Sequence, residues 1–111
     1  MLTTLLALAM GAAPTATLPP YAHSIRCAGL AEAALGRPPF DKAERKLFDA
    51  AMFWGMAASE RARADGISAV QFSRDQEVAK EHAARDLQTG PSAMAELDRC
   101  MAGVPLTDAR G

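Results

Sequence analysis

β-Branched aliphatic residues are scarce in this chain, with two Ile and three Val among 111 residues. Phe, Trp and Tyr together make up only 5%. Strands draw on these residue types, so the composition argues against an all-β fold. A charge excess is also missing. Twelve basic and thirteen acidic side chains leave a net charge of −1, which provides no field to hold a nucleic acid. No GxSxG, HExxH, P-loop or dinucleotide-binding glycine pattern occurs. What the chain has in quantity is Ala, 25 residues of it, and Ala is the strongest helix former. The length suits one domain.

The first charged side chain is Arg26. Before it, residues 2–13 (LTTLLALAMGAA) form an apolar run of twelve. A membrane-spanning helix needs roughly 20 apolar residues, so no stable membrane span is expected. The run has the length of a secretory signal core, although no Lys or Arg precedes it and Pro14 follows the best small-residue cleavage site, Gly11-Ala12-Ala13. The alternative is a first helix retained in the fold. The chain thus divides into 1–17, a signal peptide or apolar leading segment; 18–105, a helical bundle; and 106–111, a tail expected to be disordered.

Cysteine is limited to Cys27 and Cys100, 73 positions apart. Two cysteines with no CxxC exclude a four-cysteine zinc site and a thioredoxin-like pair. In an oxidising compartment two such cysteines pair, and a bridge over this span restricts the unfolded chain by roughly 4 kcal/mol. Export and a Cys27–Cys100 disulfide are therefore linked expectations: a periplasmic or secreted protein with the bridge, or a cytoplasmic one without it.

Helix punctuation is clear. A first helix is expected from about Pro20 to Leu35, stopped by Gly36 and the Pro38-Pro39 pair. Asp41 with Glu44 reads as a capping box that opens a second helix to Asp65, with Gly66 as its left-handed stop. Ser68 and Gln71 read as a second box, opening a third helix that runs to Gln88. A fourth runs from about Ser92 to Ala102. The fold class is all-α: a small four-helix antiparallel bundle behind an apolar, signal-like segment. In up-down-up-down order the first and last helices are neighbours. Their inward stripes hold Cys27 with Ala28, Ala31, Ala34 and Leu35, and Cys100 with Ala93, Leu97, Met101 and Val104. The third helix shows a narrow stripe of Phe72, Ala79, Ala83 and Leu87.

The second helix breaks the pattern. Residues 50–58 (AAMFWGMAA) carry no charge. An inward stripe of Ala43, Leu47, Ala51, Trp54 and Ala58 is expected, with Phe48 and Phe53 flanking it. Met52 and Met56 then fall on the far face, in line with Arg45, Asp49 and Arg63. Either other helices or the leading segment cover that face, or Phe48, Met52, Phe53 and Met56 form an interface for a second copy, an apolar ligand or an apolar protein segment, or the patch is exposed with no role.

Candidate chemistry is thin. His82 and Asp86, four apart, can pair on one helix face or hold a metal, but no clear third ligand accompanies them. His23 stands four residues before Cys27 and could serve a free thiol, a role that oxidation of Cys27 removes. No catalytic residue, metal site or cofactor is assigned. Asp41/Arg45/Asp49, Glu81/Arg85 and Arg61/Asp65 are expected to pair locally and support their helices. The leading expectation is an exported, non-enzymatic helical module. The rivals are an intracellular adaptor with its N-terminal helix retained, and a metal or small-molecule site on the third helix.

Overall fold

A computed structural model describes residues 18–105. The readings of 1–17 as signal-like and of 106–111 as disordered lie outside the described residues. Four helices follow in order: α1 (Tyr21–Ala34), α2 (Lys42–Ala64), α3 (Ala69–Thr89) and α4 (Pro91–Ala102), with no strand among the described residues. The domain is an all-α four-helix bundle.

Local chemistry sets the boundaries. At the start of α2 the Asp41 carboxylate accepts from the Glu44 N–H, and the Glu44 side chain accepts from the Asp41 N–H. Its end is a Schellman turn. Ile67 N–H reaches back to Ala62 O, Gly66 N–H reaches Arg63 O, and Gly66 takes φ +76°, where a side chain would be strained. At α3 only half the expected box forms. Ser68 Oγ accepts from Gln71 N–H, but the Gln71 amide donates to Asp75 one turn on. The α1 helix stops one residue earlier than expected, because Leu35 is already extended and Gly36 follows it. Gly90 caps α4 and Pro91 takes its first turn, where a missing N–H is tolerated.

The first and last helices are neighbours, as expected, but the second and third do not pack as successive helices of a simple bundle would. α1 is the central helix: it packs along both α2 and α3, which scarcely touch each other, and α4 makes smaller contacts with all three. Ser24, Ile25, Cys27, Ala28, Gly29, Leu30 and Ala31 are buried, so α1 is enclosed nearly all round. Small side chains allow this. A Cβ placed on Gly29 would lie 2.9 Å from the Ala79 carbonyl carbon and oxygen, so the α1 and α3 backbones almost touch.

The stripes are also revised. In α2 Trp54 and Ala58 are buried as expected, joined by Ala50, Ala57 and Ala62, while Leu47 and Ala51 are half-buried and Ala43 is exposed. Length explains Ala43: α2 has 23 residues against 14 in α1, so its first turns overhang. In α3 Ala83 alone is buried; Phe72, Ala79 and Leu87 are half-buried, since α3 packs chiefly on one neighbour. In α4 Ala93, Leu97 and Cys100 are buried, with Met101 and Val104 partly so.

Cys27 and Cys100 are joined, with Cα atoms 5.5 Å apart. The bridge lies in the core beside Trp54, whose indole N–H donates to the Cys100 carbonyl at 3.0 Å. Phe53 and His23 each meet the Trp54 ring edge-on at 5.0 Å.

Candidate interaction surface

Three large apolar side chains stand out from α2: Phe48 is 42% exposed, Met52 49% and Met56 63%. They lie on the face opposite Trp54, which α1 and α4 leave uncovered. Phe53 is half-buried and meets Trp54 edge-on, so it belongs to the core edge rather than to this strip. Phe40 leans on Phe48, ring centroids 5.7 Å apart, and extends the strip towards the α1–α2 link. Charged residues bound it: Arg45 and Asp49 before Met52, Glu60 and Arg63 after Met56. Glu60 and Arg63 pair at 2.8 Å.

A second surface feature is an open groove of about 520 Å³ between α1 and α3. Ile25, Val78 and Ala79 contribute its apolar lining, and Tyr21, Arg26 and His82 its polar lining. At one end the Tyr21 hydroxyl donates to Asp75 at 2.7 Å. Burial, and then the hydrogen bond to Asp75 and its charge, push the Tyr21 phenol up to about 12. The same bond, with a second from Gln71, holds the Asp75 carboxyl below its usual range. At that end of the groove Tyr21, Gln71 and Asp75 are engaged with one another.

Arg26 ties three helices together. Its guanidinium donates to both Glu96 oxygens at 2.9 Å and meets Asp86 at 2.9 Å. Glu96 is held below the usual carboxylate range, chiefly by its hydrogen bonds from Arg26, and Arg26 is raised, chiefly by the same bonds. This corrects the His82–Asp86 pairing: Asp86 turns to Arg26 across the helix interface, and His82 is exposed. His23 Nε2 lies 3.7 Å from Cys27 Sγ, but that sulfur is in the bridge. Of the locally spaced ion pairs, Arg61–Asp65 forms at 3.2 Å. No contact within 4.0 Å joins Arg45 to Asp41 or Asp49, or Glu81 to Arg85, since exposed side chains gain little by meeting.

Among the described residues no group of three or more His, Cys, Asp or Glu is placed to hold a metal ion, and no helix is long and apolar enough to cross a membrane. No spacing rule within a helix could have found the Arg26 cluster or the Tyr21–Asp75 bond, which join residues 54 to 70 positions apart. No protein-family model, curated protein or solved structure matches the chain.

Proposed function

We propose that this chain is a small exported helical module that acts by binding, and that the outer face of α2 receives a second copy of the chain. The observation that carries the reading is the exposed line of Phe48, Met52 and Met56 on a helix that already buries its other face. Such a line is unfavourable in water unless something covers it. Met suits a contact surface because it is flexible and polarisable.

A second copy fits because the apolar centre of the face reads the same in both directions. Along α2 it runs base, acid, Met, Met, acid, base: Arg45, Asp49, Met52, Met56, Glu60, Arg63. An antiparallel copy related by a two-fold axis sets Met52 against Met56 at the centre; at either end Asp49 faces the copy's Glu60 and Arg45 its Arg63, so ion pairs form only diagonally and the apolar centre carries the contact. The contact is small. A stable dimer buries about 800 Å² per partner, so a strip of this length predicts reversible association. The Cys27–Cys100 bridge supports a place outside the reducing cytosol.

Size-exclusion chromatography with light scattering over a concentration series tests this. The wild type is expected to dimerise with rising concentration, and Met52→Glu with Met56→Glu to stay monomeric. A wild type that is monomeric throughout and inert to hydrophobic dyes removes the proposal. A monomer whose dye binding disappears in the double variant assigns the face to a different apolar partner.

A further inference from the structure

The fourth helix is attached unlike the others. One residue, Gly90, joins it to α3. It buries three side chains, Ala93, Leu97 and Cys100, and one of these is the half-cystine itself. Its polar ties are the Arg26–Glu96 pair, whose side chains are 28% and 34% exposed, and the bond from the Trp54 indole to the Cys100 carbonyl. α1, α2 and α3, in contrast, hold each other through long contacts centred on α1.

What α4 covers is apolar. Its last turn lies over Trp54: a Cβ on Gly103 would come within 3.2 Å of the indole ring. With α4 in place Trp54 is 4% exposed, and both sulfurs are shielded, with Cys27 at 0% and Cys100 at 2%.

We infer that the Cys27–Cys100 bond is a redox latch on α4. With the bond intact, α4 stays over Trp54. When a dithiol reductant opens the bond, α4 swings about Gly90 while α1, α2 and α3 stay together, and the apolar surface around Trp54 and Cys27 is uncovered. In the exchange a reductant thiolate attacks one sulfur, the protein S–S bond breaks and the other sulfur leaves as a thiolate. The reductant's second thiol then resolves the mixed disulfide. The reductant ends as a disulfide, oxidised by two electrons, and the protein gains two thiols. Because both sulfurs are buried, attack requires transient fraying of the turn that follows Cys100, while the bond still holds the body of α4 in place.

Trp54 is the only tryptophan, so its emission reports on this surface directly. The experiment treats the full chain with dithiothreitol, verifies two free thiols by mass after alkylation, and records Trp emission, far-ultraviolet circular dichroism and hydrophobic-dye binding. The expected result is a red shift in emission and a gain in dye binding. The helical signal should fall by no more than the share of α4's 12 residues, and reoxidation should restore all three readings. Cys27→Ser with Cys100→Ser is expected to behave as the reduced chain. Unchanged Trp54 emission with both thiols free overturns the inference, because α4 then stays docked without its bond. Collapse of the whole helical signal overturns it as well, because the bond then holds the entire fold.

Discussion

Replacing Gly29 with Ala tests whether α1 and α3 really meet backbone to backbone. Taken alone, Gly→Ala inside a helix stabilises by about 1 kcal/mol. At Gly29 the new methyl would lie 2.9 Å from the carbonyl carbon and oxygen of Ala79 and 3.2 Å from its Cβ. Backbone cannot rotate out of the way as a long side chain can, so the helices must separate. Overpacking of this kind costs about 1–3 kcal/mol. Gly55, within α2, supplies the control, since nothing lies within 4 Å of a Cβ built there. Gly55→Ala should therefore stabilise by about 1 kcal/mol, and Gly29→Ala should be neutral or destabilising. The propensity gain is common to both variants, so their difference isolates the clash, at about 1–3 kcal/mol. Urea unfolding followed by circular dichroism reads it. With a slope of about 1 kcal/mol per molar for so small a domain, the two midpoints should differ by about 1 M or more. Equal upward shifts in both variants would refute the close approach of α1 to α3, and with it the central place given to α1.

Two further predictions concern ionisation. Tyr21 is the only tyrosine, so absorbance near 295 nm titrates it alone. The folded chain should ionise this phenol near 12; a midpoint near 10 would show that it neither is buried nor holds Asp75. Because the folded value is raised, the associated stability is full below about pH 10 and is lost as pH climbs through the folded value. Glu96 has the opposite sign. Its folded value is depressed by Arg26, so its contribution is full above about pH 4.3, the usual glutamate value, and is lost as pH falls through the folded one. Urea midpoints across pH 3–7 (~4 units around the carboxylate range) should fall on the acid side, and Glu96→Gln should flatten that fall. Arg26→Met should destabilise at neutral pH by about 1–2 kcal/mol, a range already discounted for the partial exposure of the pair. No change in Arg26→Met would mean that the three-helix junction is held without its ion pairs.

Features decided within a few residues were legible in the sequence. The Asp41–Glu44 box, the Gly66 stop and the Ser68 cap depend on neighbours at most four positions away, and each forms. The Cys27–Cys100 bridge was legible for a different reason: both residues sit on the inward stripe of their helices, and a cysteine-poor chain leaves each with one candidate partner. The polar links across helix interfaces were not. Asp86 has His82 at helical spacing and Arg26 60 positions away, and a rule about spacing on one helix can register only the first. The Gln71 amide shows the same limit on a smaller scale. Its position satisfies the box motif, yet Asp75, already holding Tyr21, draws its side chain forward.

The choice of central helix turns on a difference between hydrophobicity and size. Residues 50–58 of α2 lie in the longest charge-free run among the described residues and so point to a helix covered all round. Yet the enclosed helix is α1, whose buried positions are mostly Ala, Gly, Ser and Cys. Large side chains hold neighbouring axes apart, whereas small ones let two helices approach the same one from different sides. Gly29 against Ala79 is the extreme case. In α2 one large residue, Trp54, fills the space between helices and donates its N–H to the bridge region. Among the described residues no further helix then reaches round to Met52 and Met56. The exposed strip is thus a geometric consequence of a core built from small residues around one indole. The same economy leaves α4 with little to bury beyond Leu97 and its half-cystine, so a covalent bond holds a helix that apolar contacts alone would hold weakly.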